Sequence, residues 1–231
     1  MENKDIKKIG FFALWDSKRS EYHASEHDEV ATCINIGKAF DSARENGAKI
    51  FGHYYCRWGT ERKTFTFWRC PDFSVLEEAM DNLEKAGDFK FAESEHRVGI
   101  EVLNSSQSDE NISTFEDGTK EFPYAFVALW KWKDSYYRAP RQEKADYSEV
   151  VDKVFIEAKS KGIHTLGQYH CTFSSKWDYF TFWLSPSFEA IEETMHSLEI
   201  AGDFKFAESR HLIGYLEKGN RFGRKLQTLD Y

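Results

Sequence analysis

The chain has 231 residues and carries 31 Lys and Arg against 39 Asp and Glu, which gives a net charge of −8 and an isoelectric point near 5.6. This acidic balance argues against nucleic acid or an anionic membrane as the main partner, because both attract clustered positive charge. A hydrophobic share of 41% excludes a disordered chain, and the aromatic share of 16% suggests cavity walls or an interface in addition to a core.

Periodicity predicts four strands and two helices in the first half, in the order βαββαβ of the ferredoxin-like split motif. Gly47 and Gly87 stand just past the two helices, where a left-handed residue commonly closes a helix. Asp72 or Ser74 can cap the second helix. The predicted strands cover residues 11–15, 49–58, 63–69 and 95–103, the first helix covers 26–46, the second ends before Gly87, and a short turn or helix lies at 88–94.

The whole pattern recurs 115 residues later without a gap. Residues 86–94 reappear unchanged as residues 201–209, and about 37 of the 94 positions aligned between 9–102 and 124–217 are identical. A unit of this length is a duplicated domain and is too long for a solenoid repeat. The predicted boundaries are a first repeat at 8–103, a polar linker at 104–122, a second repeat at 123–217 and a C-terminal tail at 218–231.

The predicted helices cover only one face of each four-stranded sheet, yet both faces carry large side chains. We therefore expect the bare faces of the two halves to pack against each other. The predicted fold is α+β, with two tandem ferredoxin-like domains packed sheet to sheet about a pseudo-two-fold axis into an α/β barrel. We expect a small cavity inside this barrel as the default ligand site.

Several motifs make the chain resemble the dimeric α/β-barrel superfamily. They are Leu14-Trp15, Gly52, residues 65–68 and residues 87–93, and all of them recur in the second half. The nearest resemblance is to an uncharacterised family of small barrels related to antibiotic-monooxygenase-like, EthD-like and stress-responsive A/B barrel proteins. The superfamily also includes the haem-binding chlorite dismutase group, which fuses two such domains. The resemblance implies the fold, and by analogy it allows cofactor-independent oxygenation, isomerisation or cyclisation.

Polar residues that both copies retain are the candidates for catalysis. Glu93 and His96 recur as Glu208 and His211, and a carboxylate and an imidazole at this spacing across a turn can act as base and orienting group. The alternative is that the glutamate caps a turn and the histidine makes one structural hydrogen bond. His170 is a further candidate, and because it and His53 stand at non-equivalent positions of the two copies, we expect an asymmetric site. The second half also carries the extra rings Trp132, Tyr136 and Trp177, which favour that half.

Large aromatic side chains beside small residues predict a hollow suited to a planar apolar ligand. The alternative is a filled aromatic core. The predicted ligand-binding residues are Trp15, Tyr54 and Trp68 in the first half and Trp130, Tyr169 and Trp183 in the second.

No resident cofactor is predicted, and the sequence shows no short-range metal-ligand spacing. A four-histidine metal centre from His53, His96, His170 and His211, or a haem held by a single histidine, stays open as a minor alternative. The four cysteines, without a CxxC motif, are typical of reduced thiols in a cytoplasmic protein.

The function predicted from these features is the binding or transformation of a small aromatic or apolar molecule by a monomer or homodimer. Two alternatives remain open at this point. One is a non-catalytic association protein with a filled barrel, and the other is a haem- or metal-binding barrel.

Overall fold

The computed structural model describes residues 8–18, 25–56, 62–102, 122–173 and 175–216. Most of the predicted linker at 104–122 and the whole predicted tail at 218–231 lie outside these residues. Among the described residues, no helix is both long enough and apolar enough to span a membrane.

The described residues form eight antiparallel strands and seven helices, and each element of the first half has a counterpart 115 residues later, apart from the extra helix α4 of the second half. The bounds of the first half are β1 Ile9–Ser17, α1 Glu26–Glu45, β2 Lys49–Tyr55, β3 Thr64–Cys70, α2 Phe73–Ala86, α3 Asp88–Phe91 and β4 Ala92–Glu101. Those of the second half are β5 Tyr124–Trp132, α4 Asp134–Arg138, α5 Arg141–Ser160, β6 His164–His170, β7 Tyr179–Ser185, α6 Phe188–Ile200, α7 Asp203–Phe206 and β8 Ala207–Leu216.

The strands close into one barrel in the order β1-β3-β2-β8-β5-β7-β6-β4. Within each half, the first strand pairs with the third and the fourth. Two short seams then join the halves: β2 pairs with β8 at Tyr54 and Tyr55, and β4 pairs with β6 at Ile100 and Glu101. The predicted sheet-to-sheet barrel is thus the fold of this chain.

The barrel interior is a packed hydrophobic core. Its centre is a face-to-face stack of Phe67 on Phe182, with ring centroids 4.6 Å apart. The expected internal cavity is therefore wrong, because large rings from both sheets meet there and are wholly buried. The buried aromatic residues of this core are Phe12, Phe51, Tyr54, Phe65, Phe67, Tyr169, Trp177, Phe180 and Phe182.

A β-bulge in β2 and another in β6 decide which side chains enter this core. The pairing register of β2 with β3 shifts between Ile50 and His53, where Gly52 has a φ of 93°. An extra residue on one strand changes the alternation of side chains beyond it. Phe51 and Tyr54, three residues apart, consequently both lie inside the barrel, while His53 lies outside.

Helices cover the outer face of each sheet, and each half has a separate core there. In the second half this outer core contains Phe126 and Trp183 from the sheet, with Val154 from α5 and Ile191 from α6. The N-caps of α2 and α6 are the side chains of Asp72 and Ser187, each of which accepts a backbone N–H three residues on. The two enclosed cavities described below lie in these outer cores.

Candidate ligand-binding site

The best-formed cavity lies in the second half, between the outer face of the sheet and helices α5 and α6. Its volume is about 230 Å³. Rings from the sheet form its floor and apolar side chains from the helices form its roof, which is typical of a site for a small apolar molecule. The lining residues used below are Phe126, Trp130, Trp132, Tyr136, Tyr147, Phe155, Gln168, Thr181, Trp183, Asp203 and His211.

The equivalent position in the first half holds a cavity of only about 40 Å³. At this place the ring of His53 packs edge-on against Trp15 and Phe40, with centroids 6.0 Å and 5.8 Å away. The second half has Gln168 at this place. The larger cavity lies in the half that the sequence analysis favoured.

A more open groove of about 380 Å³ lies on the other side of His96, between α2 and β4. Its rim includes Phe73, whose side chain is 48% exposed. This groove belongs to the surface and has no counterpart of the aromatic enclosure found in the second half.

Helix α4 and the end of β5 add an aromatic cover to the second-half cavity. Tyr136 stacks on Trp132, with centroids 3.8 Å apart and the rings inclined by 10°. The cover is tied to α7, because Lys133 Nζ donates to the carbonyl of Phe204 at 2.6 Å and Ser135 Oγ donates to that of Lys205. The sequence comparison identified Trp132 and Tyr136 as extra rings of this half, although helix α4 itself was not predicted.

His211 lies on β8 and lines this cavity. Its imidazole packs against the ring of Phe126, with centroids 5.1 Å apart. Burial lowers the pKa of His211, because charging the ring among apolar groups is costly. The neutral imidazole is therefore the dominant form at neutral pH, and a neutral imidazole can accept a proton or ligate a metal.

Sequence reasoning missed a second titratable group of the cavity, the pair of Tyr147 and Asp203. The Tyr147 hydroxyl donates to Asp203 Oδ1. Burial raises the pKa of Asp203, and the hydrogen bond from Tyr147 and the charge of Lys133 offset this in part. The sequence signal that could have revealed Asp203 is that both copies retain this aspartate. Its counterpart Asp88 also lines a cavity, and burial raises the pKa of Asp88 to about 6.

The structure does not bring the predicted Glu and His partners together. β4 and β8 begin at Ala92 and Ala207, so that Glu93 and His96 are three residues apart within a strand and point to opposite faces, as do Glu208 and His211. Glu93 instead pairs with Arg62 at 2.7 Å, which lowers the pKa of the carboxyl. Glu208 pairs with Lys131 at 3.3 Å.

The remaining predicted residues lie in three kinds of place. Trp15 and Trp68 line the first-half cavity, and Trp130 and Trp183 line the second-half cavity. Tyr54 and Tyr169 are wholly buried inside the barrel, where the bulges place them, and do not line either cavity. His170 lies exposed at the end of β6, with its Nε2 3.2 Å from the hydroxyl of Thr172.

The four-histidine centre is not formed. Across the described ranges, no three side chains of His, Cys, Asp or Glu come close enough to share a metal ion. All four cysteines are free thiols, and burial raises the pKa of both Cys70 and Cys171, which makes them poor nucleophiles.

Comparison with known proteins reveals the fold class. No protein-family model matches the sequence, and no curated protein matches it significantly. Chlorite dismutase from Candidatus Nitrospira defluvii, in a variant form, superposes with a TM-score of 0.75 at 12% identity, over 96% of both chains. The complex of the same enzyme with imidazole gives 0.74 at 13% identity, over 95% of this chain and 94% of that one. A variant in complex with cyanide gives 0.68 at 13% identity, over 91% and 90%.

The chain therefore has the two-domain ferredoxin-like fold of the chlorite dismutases. This is the group that the resemblance named for its two fused domains. The finer resemblance to antibiotic-monooxygenase-like and EthD-like proteins stays a prediction, and so does a catalytic role for any of the residues discussed above.

Proposed function

We propose that the chain binds a small aromatic molecule in the second-half cavity and that His211 moves a proton on it. The observation that carries this proposal is the combination, in one cavity of about 230 Å³, of an indole and phenol enclosure with an imidazole whose pKa is lowered by burial. Aromatic rings prefer offset-stacked or edge-on partners, which Trp130, Trp132 and Phe126 offer.

The proposed chemistry begins with His211 as a general base. A neutral imidazole within hydrogen-bond reach of an acidic C–H or O–H group of the ligand accepts its proton. Isomerisation, cyclisation and cofactor-independent oxygenation of an aromatic substrate all begin with this step. Asp203, held by Tyr147, is another titratable group of the cavity and a candidate to return the proton.

Binding is tested by a thermal-shift screen of small aromatic molecules against three proteins. Gln168→His places an imidazole ring in the second-half cavity, at the position that His53 occupies in the first half. The matched control His53→Gln makes the reverse change in the first half. We expect the compounds that raise the melting temperature of the wild type to have no effect on Gln168→His. The same compounds should still raise the melting temperature of His53→Gln. Compounds that stabilise all three proteins equally would contradict the proposed site.

Proton transfer is tested on the compounds that bind. An NMR assay in D₂O follows the loss of an acidic ligand C–H signal, and we expect His211→Asn to abolish the exchange and His96→Asn to leave it unchanged. Binding without exchange would favour a non-catalytic binding protein. No binding at all would favour the association protein whose filled barrel the structure contains.

Haem is the second candidate, and the neutral imidazole of His211 together with the chlorite dismutase fold supports it. The cavity, however, does not fit haem. Its volume of about 230 Å³ lies below the range of roughly 300–1,000 Å³ of drug-sized ligand sites. The two propionates of a haem need positively charged partners. The lining of this cavity instead contains two carboxyl groups, of Asp152 and Asp203, and one lysine, Lys144.

A hemin titration separates the two candidates. If the absorbance band of hemin shifts and the shift saturates at one equivalent, and if His211→Ala abolishes this shift, haem binding is favoured. An unshifted band, together with aromatic ligands that respond to Gln168→His, would favour the proposal above.

A further inference from the structure

Asp203 is a half-buried acid in the lining of the second-half cavity, and Tyr147, which holds it, lines the same cavity. The Tyr147 hydroxyl donates to Oδ1, and among the described residues nothing donates to Oδ2. Oδ2 is not one of the unpartnered polar atoms that the fold closes off from solvent, so it stays accessible. A carboxylate has about four acceptor sites, and this one therefore keeps room for a donor from a ligand.

Three rings of the cavity lining follow one another from this carboxyl. Tyr147 lies edge-on to Trp132, with centroids 6.2 Å apart, and Trp132 lies edge-on to Trp130, with centroids 4.9 Å apart. The faces of indole and phenol rings attract cations, and several such rings around one space are typical of sites for ammonium groups. The rings and the acid therefore favour the same charge on a ligand.

The charged residues of the lining are two acids and one lysine. Lys144 has its partners in the aromatic cover, since its Nζ lies 5.1 Å from the ring centroid of Tyr136 and donates to the carbonyl of Tyr137 at 3.3 Å. The second acid, Asp152, is exposed and belongs to the same helix as the lysine. With a neutral His211, the lining carries more negative than positive charge, which favours a cationic ligand over an anionic one.

The first half retains only part of this arrangement. Asp88, the counterpart of Asp203, lines the first-half cavity of about 40 Å³. Gly37 stands at the position of Asp152, so the second acid is found only in the half with the larger cavity. Asp88 is thus a matched control for Asp203, because it is an equivalent acid beside a much smaller space.

We infer that the second-half cavity selects aromatic molecules with a protonated alkylamine group, and that the carboxylate of Asp203 binds this ammonium group while the ligand ring lies among the indole and phenol rings. The inference rests on the proposed function, which it narrows from aromatic molecules in general to arylalkylamines. The ammonium group donates a charge-assisted hydrogen bond to Oδ2, the stronger class of hydrogen bond. His211 then both takes and returns the proton, because the ligand occupies the carboxylate.

The test uses 2-phenylethylamine and 2-phenylethanol, two probes of the same shape that differ in charge at neutral pH. Their dissociation constants are measured by tryptophan fluorescence with the wild type, Asp203→Asn and Asp88→Asn. We expect the wild type to prefer the amine roughly ten- to a hundredfold, as one hydrogen bond between charged groups allows. Asp203→Asn should abolish this preference, and the matched control Asp88→Asn should keep it.

A second measurement uses the wild type alone and does not depend on the stability of a variant. Phenylacetate has a similar size and the opposite charge to 2-phenylethylamine. The wild type should bind the amine most tightly, the alcohol less tightly and phenylacetate least tightly. The reverse order would indicate that Lys144 selects the ligand, and it would overturn the inference.

The outcomes separate the inference from the proposed function. Equal affinity for the amine and the alcohol, lost for both in Gln168→His, would overturn the role of Asp203 and leave the aromatic site standing. A preference for the amine that survives in Asp203→Asn would also overturn it. If none of the three probes binds, the proposed function fails and the inference fails with it.

Discussion

Phe67 and Phe182 occupy equivalent positions in the two repeats and stack on each other at the barrel centre, with centroids 4.6 Å apart and an inclination of 17°. A residue that meets its own counterpart lies on the pseudo-two-fold axis. Both rings are wholly buried, and both belong to the interior core that joins the halves. This contact therefore indicates where the duplicated domains depend on each other.

Phe67→Ala and Phe182→Ala should each lower the free energy of unfolding by about 3–5 kcal/mol, because each leaves a cavity in a packed core. The double variant should show a coupling of about 0.5–1.5 kcal/mol from the lost stack. Urea denaturation measures all three values. Phe73→Ala, at a side chain that is 48% exposed, is the control and should change stability far less.

The two seams depend on glycines that pack under tyrosines of the opposite half. A Cβ on Gly99 would lie 2.7 Å from Tyr169 Cβ, and a Cβ on Gly214 would lie 2.6 Å from Tyr54 Cβ. Gly99→Ala and Gly214→Ala should each destabilise the fold by about 1–3 kcal/mol, since the packed neighbours must shift.

Gly37 is the matched control for the seam variants, because a Cβ there meets nothing within 4 Å. Gly37→Ala lies inside α1 and should stabilise the protein by about 0.5–1 kcal/mol. Thermal unfolding of the three variants compares them directly, and equal melting temperatures for all three would contradict this account of the seams.

Tyr147→Phe removes the hydroxyl that donates to the buried Asp203. The expected cost is about 1–3 kcal/mol at pH 8, because a charged acceptor loses its donor. The cost should shrink as the pH falls towards 4, because burial raises the pKa of Asp203 and the protonated carboxyl accepts a weaker hydrogen bond. The control is Tyr137→Phe, at a side chain that is 62% exposed, which should be nearly neutral at both pH values.

Burial lowers the pKa of His211 in the folded state, so unfolding raises it towards about 6.5. As the pH falls through that value towards the folded pKa, the unfolded chain binds more protons, and the stability difference between wild type and His211→Asn should decline. Above the unfolded pKa this difference should be constant. An NMR titration of the His211 ring that gives a pKa above 6.5 would contradict the prediction.

The fold was largely predictable because the repeat supplies its own evidence: an offset of 115 residues locates every strand of the second half once the first half is read. The identity of the cavity was not predictable. Whether the rings of a barrel fill or line its interior depends on how their volumes fit across two sheets. The bulge at Gly52 also shifts the alternation of side chains along β2 and places Tyr54 in the barrel interior, away from the cavity of its own half.

The pairing of Glu93 with His96 failed for a local reason, because β4 begins three residues earlier than the predicted strand. Asp203 was present in the retained block at 201–209 and was passed over for Glu208. Thr66 accepts the indole N–H of Trp68, but its counterpart Thr181 accepts that of Trp130, and the two nearly identical strand sequences do not reveal this exchange.

The short seams between β2 and β8 and between β4 and β6 have a further consequence, which concerns pairing with strands of other molecules. Each seam covers an edge strand whose backbone N–H and C=O groups could otherwise pair with a strand of another molecule. A half released by proteolysis would have two unpaired edge strands, and the sheet face that packs in the barrel interior would expose its phenylalanines. Keeping both copies on one polypeptide makes the protective partner available at any concentration, even in a dilute solution where a separate half would find none.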